Sequence, residues 1–240
     1  MKTIKIAHLY FDLMNLYGEN GNVRFLKKKI EEQNINVEIY FLTVDDQIDF
    51  TKYDFYYIGT GSEENQKIVL EDIMKYKNEI KKAKDSGKFF LVTGNALDLF
   101  TNKINFKDGT VGEGIGLFDS EATEEEFRIV GEQYYTCPLE DHKIIGFQNR
   151  ICTINKFDNY LFDVIDGCGL KPNFTKEGVY ENNFYGTYLL GPLLVRNPYF
   201  CDFIIGEICK FIQKEYTKPN LEDACYIAYE EYIKNFYENQ

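Results

Sequence analysis

Several residue types and patterns are scarce in this chain of 240 residues. Tryptophan is absent, and Lys and Arg (27) are outnumbered by Asp and Glu (39), which gives a net charge of −12 at pH 7. Nucleic-acid affinity depends largely on Lys and Arg that neutralise phosphates, so a nucleic-acid partner is not expected. No segment approaches the roughly 18 consecutive apolar residues of a membrane helix, so no membrane span is predicted.

Metal-ligand spacings are missing too. The chain has two histidines and six scattered cysteines without a C-x-x-C pair, which excludes the common zinc sites; we expect no metal and no cofactor. Cys201, Cys209 and Cys225 fall on apolar helix faces, where small buried hydrophobes are predicted. The first residues lead directly into a strand and not into a signal peptide, so a cytoplasmic location is expected.

Strands and helices alternate along the first hundred residues. Apolar runs predict strands at residues 2–10, 37–44, 55–59 and 89–92, and a 3.6-residue period predicts helices from residue 22 to before 34 and at 66–84. This order is typical of an α/β fold, with a mostly parallel sheet covered by helices on both faces. Because no linker or repeat interrupts the chain, a single domain over residues 1–240 is predicted.

The second half is less regular. Residues 124–135 and 143–154 are predicted strands that extend the sheet in antiparallel fashion. Apolar residues at helical spacing predict a helix at 198–215, and Asn220 is a candidate N-cap for a last helix.

The segment FFLVTGNAL at residues 89–97 has the layout of a nucleophile elbow: a buried strand, a tight turn at Thr93-Gly94, then a helix. Ligands of parallel sheets bind at the carboxyl ends of strands, where residues 9–10, 59–61 and 93–95 fall. We therefore expect three loops to converge on one crevice, with Thr93 at the nucleophile position.

Five ordered motifs give the chain a family resemblance. They read LYFDLMNLYGENGN (9–22), IGTGSEENQ (58–66), GEGIGLFD (112–119), GFQN (146–149) and GTYLLGPLL (186–194). From about residue 4 to about residue 205, the chain resembles the class I glutamine amidotransferases of the cobyric-acid-synthase type. It is most similar to the branch that contains the glutaminase subunits of lipid II isoglutaminyl synthases. The resemblance implies a three-layer, flavodoxin-like fold.

The resemblance also implies where the chemistry would be. In the family, a cysteine on the elbow attacks the side-chain amide of glutamine, and a histidine after Tyr-Leu moves the proton. The matching positions here are Thr93 and Leu190. Leucine cannot move a proton, and a hydroxyl group without a base in reach is a poor nucleophile. Losing both groups removes the covalent route, so no catalytic residue is expected.

Ligand binding does not need those two side chains. The backbone amides of Gly59, Gly61, Gly94 and Asn95 would still line an oxyanion-like pocket, although a plain glycine-rich turn is an equal alternative. Arg128 matches the family position expected to hold the substrate's α-carboxylate, which suits a guanidinium group. The alternative for Arg128 is a surface position on a strand.

Neither histidine is predicted to replace the missing base. His8 lies inside the first predicted strand, which favours a satisfied core or sheet-end histidine. His142 lies in a polar turn, which favours a solvent-exposed side chain.

Three functions are compatible with this pattern. The first, which we prefer because both catalytic positions are substituted, is an inactive glutaminase-like subunit that binds a Mur-ligase-like partner or another copy of itself. The second is an active subunit that supplies ammonia for amidation of a peptidoglycan precursor, lipid II, with Thr93 as an atypical nucleophile. The third is a sensor that binds glutamine or a related amino acid near Gly59, Gly94 and Arg128.

Overall fold

The computed structural model describes residues 3–238, in which twelve strands form two sheets. The strands are β1 (Thr3–Leu9), β2 (Asn36–Leu42), β3 (Phe55–Ile58), β4 (Phe89–Thr93), β5 (Lys103–Asn105), β6 (Val111–Glu113), β7 (Glu121–Cys137), β8 (Glu140–Ile154), β9 (Phe162–Asp166), β10 (Lys176–Glu177), β11 (Val179–Glu181) and β12 (Phe184–Thr187).

The first sheet has the order β11-β12-β4-β3-β1-β2. Its strands pair in parallel except for β11, which is antiparallel to β12 at one edge. Strand β4 is central, between β3 and β12, and all five of its residues are buried. The carboxyl end of this strand therefore lies in the middle of the sheet, where the predicted elbow was expected.

Residues 3–238 also contain six α-helices: α1 (Asn20–Glu32), α2 (Glu63–Ile73), α3 (Lys77–Asp85), α4 (Leu193–Arg196), α5 (Pro198–Phe211) and α6 (Ala224–Ile233). The predicted helix at 66–84 consists of α2 and α3, which are separated by a 3₁₀ turn at Met74–Tyr76. The last helix begins later than predicted, because Asp223 and not Asn220 occupies its N-cap position.

Helices cover both faces of the first sheet. Along β4, Phe90 and Val92 belong to one hydrophobic core, which also contains residues of α2 and α3. Phe89 and Leu91 belong to a second core, which contains residues of α1 and α5. This alternation follows from the two-residue period of a strand. The predicted three-layer α/β fold is confirmed.

The long hairpin of β7 and β8 corrects one prediction. Residues 124–135 and 143–154 form antiparallel strands, as expected, but they do not extend the first sheet. They belong to a second sheet of order β10-β9-β7-β5-β6, with β8 paired to β7. The place beside β4 is taken by the short buried strand β12, which pairs with β4 from Phe184 to Thr187.

Two smaller expectations can be compared with the structure. Cys201 and Cys209 are buried on α5 as predicted, whereas Cys225 is only partly buried. Over residues 3–238, none of the helices is both long enough and apolar enough to cross a membrane.

Candidate functional site

The elbow segment differs from the predicted strand, turn and helix in its backbone. Thr93 has an extended conformation (φ −121°, ψ 148°), and the left-handed conformation falls on the next residue, Gly94 (φ 62°). A buried 3₁₀ helix, Gly94–Phe100, follows in place of an α-helix. In a nucleophile elbow the sharp, strained turn carries the nucleophile itself. Here Thr93, the predicted nucleophile position, keeps an ordinary strand conformation.

The side chain of Thr93 is fully buried and bonded to two neighbours. Its Oγ1 donates a hydrogen bond to Oε2 of Glu19 and lies 3.0 Å from the hydroxyl of Tyr57. Tyr57 in turn donates to the same Glu19 oxygen at 2.6 Å. These three polar groups satisfy one another inside the protein.

Burial controls the protonation of this cluster. It raises the pKa of Glu19, although hydrogen bonds from Thr93, Tyr57 and backbone amides act in the opposite direction. It also raises the pKa of Tyr57 well above its usual range, with a further contribution from Glu19. Burial therefore disfavours the ionised carboxylate, which is the form that would take a proton from Thr93.

The segment that carries Leu190 reaches the same cluster through its backbone. Leu190 is buried, and its N–H donates to the carbonyl oxygen of Phe147 at 3.0 Å. The next amide, Gly191 N–H, donates to Glu19 Oε1 at 3.1 Å. Glu19 thus bonds both to Thr93, the predicted nucleophile position, and to the residue after Leu190, the predicted base position.

Asn22 extends the network to a second backbone amide. Its Nδ2 donates to the Tyr57 hydroxyl at 2.9 Å, and its Oδ1 accepts from the Leu194 amide at 2.8 Å. Glu19 and Asn22 both come from the motif at residues 9–22, and Leu194 comes from the motif at residues 186–194. Two of the recognised motifs therefore meet as one buried hydrogen-bond network.

Two of the predicted glycines lie where backbones approach closely. A Cβ atom on Gly59 would lie 2.7 Å from the Met14 carbonyl oxygen and 2.9 Å from Glu19 Cβ. A Cβ on Gly94 would lie 2.4 Å from Thr60 Cβ. These distances are too short for a real side chain, so glycine allows Met14 and Glu19 to pack against residue 59, and Thr60 to pack against residue 94.

The predicted backbone donors are partly occupied. The Gly61 N–H donates to Oδ1 of Asn95 at 3.0 Å, and the Asn95 N–H points to the Thr60 hydroxyl oxygen at 3.3 Å. Asn95 also donates from Nδ2 to the Gly61 carbonyl at 3.0 Å. The loop at 59–61 and the start of the 3₁₀ helix are therefore joined to each other. A ligand would compete with these bonds for the same donors.

A cavity of about 310 Å³ opens beside this loop. Its wall contains Gly61 and Asn95, and also Arg128 from β7 and Asn149 from β8. Thr93, Glu19, Gly59, Gly94 and Leu190 are not among the described residues that line it. The predicted crevice thus has two parts, an open cavity and a closed cluster around Thr93.

Arg128 lies at the rim of the cavity. It is exposed, forms an ion pair with Glu63 at the start of α2, and donates to Asn149 Oδ1 at 3.0 Å. Asn149 in turn donates to the Tyr17 hydroxyl at 2.8 Å. Sequence reasoning placed Arg128 at a pocket, and the structure brings it to the same cavity as Gly61 and Asn95; its carboxylate contact stays a prediction.

The inner wall carries two residues that sequence reasoning missed. Arg150 is 2 % exposed, donates to Gln148 Oε1 at 3.0 Å and Gly169 O at 2.6 Å, and stacks on the ring of Tyr188 at 3.8 Å. Gln66 is 1 % exposed and lies on the inner face of α2. Gln66 lies three residues before Val69 and seven before Ile73, on the same buried face of α2, and this polar residue at a core position was the available signal.

The structure confirms that His8 is buried and that His142 is exposed, as predicted. His142 is exposed and stacks on Tyr199, with ring centroids 3.5 Å apart. His8 is fully buried, with its ring centroid 5.0 Å from that of Tyr57. His8 is not satisfied, however, because neither ring nitrogen has a hydrogen-bond partner between residues 3 and 238. Burial lowers its pKa to about 4, so it is neutral near pH 7.

The three-layer fold is one that glutamine amidotransferases have, and the sequence comparison shows that the chain is of this class. Residues 5–198 match the model of the CobB/CobQ-like glutamine amidotransferase domain, and the chain belongs to this family.

Individual relatives agree with this assignment. The chain is 28 % identical over 210 residues to the lipid II isoglutaminyl synthase (glutamine-hydrolyzing) subunit GatD of Staphylococcus aureus (strain N315), covering 88 % of this chain and 86 % of the relative. It is 28 % identical over 197 residues to the subunit of the same name from Streptococcus pneumoniae, covering 81 % and 76 %. A crystal structure of a glutamine amidotransferase shares the fold, with a TM-score of 0.54, 12 % identity and coverage of 84 % and 98 %.

Proposed function

We propose that this chain is a glutaminase-fold subunit that does not hydrolyse glutamine. It binds a partner subunit or a small amino-acid ligand instead. The observation that carries the proposal is the closed surroundings of Thr93. Its hydroxyl is fully buried, bonded to Glu19 and Tyr57, and absent from the lining of the cavity. A covalent mechanism needs a nucleophile that reaches the substrate and a base ready to accept its proton. The burial of Thr93 and the raised pKa of Glu19 argue against both.

The occupied backbone donors support the same proposal. An oxyanion is stabilised by amide N–H groups that point at the position where negative charge develops. The amides of Gly61 and Asn95 point instead at the side chains of Asn95 and Thr60. A tetrahedral intermediate would have to displace these partners before it could be stabilised.

We infer that the chain works beside a Mur-ligase-like subunit in the amidation of a peptidoglycan precursor. The support is that both relatives carry the name of a subunit of lipid II isoglutaminyl synthase and are matched over most of their length. Association with a second copy of the chain is the alternative.

The test is ammonia release from glutamine, measured with the chain alone and together with a candidate Mur-ligase-like partner. A glutamine-mimicking electrophile followed by intact-mass measurement tests the nucleophile directly. We expect no ammonia above the blank and no adduct. A stoichiometric adduct, or ammonia release that Thr93→Ala abolishes, would overturn the proposal and favour Thr93 as nucleophile with Glu19 as its base.

A restored variant serves as the positive control. Thr93→Cys combined with Leu190→His supplies the thiol and the imidazole at the two family positions. Ammonia release by this double variant, with none from the wild type, would assign the inactivity to these two residues.

The cavity favours a second candidate function, a sensor of glutamine or a related amino acid. Its volume of about 310 Å³ is at the lower end of the range for small-molecule sites. Arg128 provides a guanidinium group at the rim. Calorimetry with glutamine on the wild type and on Arg128→Ala tests this function, and no heat of binding with the wild type would reject it.

A further inference from the structure

Strand β2 is an open edge of the first sheet. Among residues 3–238, no strand lies beyond it, and only Val37 of its seven residues is buried. Two of its aromatic side chains reach solvent, since Tyr40 is 37 % exposed and Phe41 is 48 % exposed. The strand contains no lysine, proline or bulge, which are the devices that usually protect an edge from pairing. It is therefore a surface that can accept another strand.

The backbone of β2 presents hydrogen-bonding groups on its outer side. The Leu42 carbonyl accepts a hydrogen bond from the segment that follows β1, whereas the Val37 carbonyl accepts from Lys27 Nζ at 2.9 Å. Because the backbone groups of successive strand residues point to opposite sides, Val37, Ile39 and Phe41 face outward. Within the described part of the chain, the outward backbone groups of Ile39 and Phe41 have no hydrogen-bond partner.

We propose that β2 pairs with β2 of a second copy of this chain, in antiparallel fashion about a two-fold axis at Ile39. In this register Ile39 faces Ile39 of the second copy, and Val37 faces Phe41. All three outward-facing residues of each strand then form backbone hydrogen bonds, and the exposed Phe41 ring gains an apolar neighbour. Glu38, the one charged residue of β2, faces Tyr40 of the second copy.

Charge favours this register and this occupant. Moving the axis one residue towards the start of the strand would place Glu38 opposite Glu38 of the second copy, and like charges directly opposite are destabilising. The other edge of the sheet, β11, has only three residues, of which Glu181 is already paired with Lys84. Strand β2 therefore matches itself better than it matches β11. A two-fold contact uses the same surface on both copies, so it closes at a dimer.

The dimer does not rest on the proposed loss of glutamine hydrolysis. No residue of β2 lines the cavity beside the 59–61 loop, and none bonds to Thr93 or Glu19 in the described structure. Both parts of the crevice stay free in the dimer. Ammonia release by the chain would reject the inactive-subunit proposal and leave this one unchanged.

The test is size-exclusion chromatography with light scattering on the full chain, from about 5 to about 200 µM. The mass of the wild type should move from 28.2 kDa towards twice that value as concentration rises. Ile39→Pro removes an N–H group that only the dimer uses, and Phe41→Lys places a charge against Val37. Each variant should weaken dimerisation by about 10-fold or more. Val111→Lys is the matched control, because Val111 is an exposed apolar residue on the edge strand β6, and it should dimerise like the wild type.

Cysteine cross-linking tests the register. Facing residues of a hydrogen-bonded antiparallel pair have Cα atoms about 5.5 Å apart, within disulfide range, so Ile39→Cys should form a covalent dimer on mild oxidation. Residue 40 would lie about 7–8 Å from residue 40 of the second copy, so Tyr40→Cys should not. The wild type is the control for the six native cysteines.

Thermal unfolding checks that each variant folds, and Phe41→Lys keeps the test valid if Ile39→Pro does not. A wild type that stays at 28.2 kDa over the whole range would overturn the proposal. So would a dimer that folded β2 variants leave unchanged, or assembly into species larger than a dimer. A disulfide through residue 40 and not through residue 39 would overturn the two-fold axis at Ile39.

Discussion

Glu19→Ala should destabilise the folded protein strongly, because this buried carboxyl group joins three parts of the chain. It accepts hydrogen bonds from Thr93, Tyr57 and the Gly191 amide. Thr93 and Tyr57 can still bond to each other, but the Gly191 amide would lose its acceptor. An unsatisfied buried donor costs about 1–3 kcal/mol, and the cavity left by the side chain adds about 1 kcal/mol. The expected loss is therefore about 2–4 kcal/mol.

Glu19→Gln separates the hydrogen bonds from the charge. Glutamine keeps the shape and one acceptor oxygen, so we expect a loss of about 1 kcal/mol or less. In the folded state, burial raises the pKa of Glu19 above 4.5. The stabilisation that comes from this shift is therefore fully present below about pH 4.5, and it is lost as pH rises through the folded-state pKa. The wild type should therefore lose stability relative to Glu19→Gln as pH rises.

Urea unfolding followed by far-UV circular dichroism, from about pH 5 to about pH 8, measures both effects. Glu71→Ala is a suitable control, since this exposed glutamate should change the free energy of unfolding by about 0.5 kcal/mol or less. A loss of unfolding free energy for Glu19→Ala as small as that for Glu71→Ala would refute this prediction. A wild type that gains stability relative to Glu19→Gln as pH rises would also refute it.

Two further substitutions test the packing and the protonation near this site. Gly59→Ala should cost about 1–3 kcal/mol in urea unfolding, since its Cβ would meet the Met14 carbonyl oxygen at 2.7 Å. Gly206→Ala, where nothing lies within 4 Å, should be neutral or stabilising by up to about 1 kcal/mol; equal losses would contradict the packing argument. His8→Leu tests the lowered pKa of about 4: as pH falls from 6.5 towards 4, the wild type should lose up to about 3 kcal/mol relative to the variant. If the difference in unfolding free energy between wild type and variant stays constant over this pH range, His8 takes up protons equally in the folded and unfolded states.

The parallel sheet and the position of the elbow were predictable because their signals are local. Residues 89–92 form a continuous apolar run that is followed by Thr93 and a glycine, and all five residues of β4 are buried. Such a run favours a central parallel strand, and the following Gly94 marks the turn. Thr93 was therefore predicted at the carboxyl end of a buried strand, and the structure places that strand at the centre of the sheet.

The assignment of β7 and β8 to a second sheet was not predictable from local pattern. Alternating polarity shows that a strand is half-buried, but it does not say which neighbour the strand pairs with. The strand that pairs with β4 on that side is β12, four residues long at Phe184–Thr187. It lies about ninety residues further along the chain. Strand β12 is too short for periodicity to identify, so the longer strands were placed on the wrong sheet.

The closed cluster around Thr93 was missed for a similar reason. Glu19 lies in a stretch rich in glycine and asparagine, where polarity indicates an exposed turn. Its burial depends on Thr93, 74 residues away, and on Gly191, 172 residues away. Tyr57 sits in an apolar strand, where its hydroxyl group gave no sign of a partner. The resemblance predicts that Thr93 and Leu190 are substituted catalytic positions, but only the tertiary structure shows what surrounds Thr93.

The hydrogen bonds themselves favour binding over turnover. Glutamine hydrolysis at the elbow would require Thr93 to leave Glu19, and Gly61 and Asn95 to release their N–H groups from internal acceptors. Each separation would cost about 1 kcal/mol or more before any new contact formed. A ligand that occupies the neighbouring cavity without using these backbone donors needs none of these changes. The least costly event at this site is therefore occupation of the cavity with the elbow left closed.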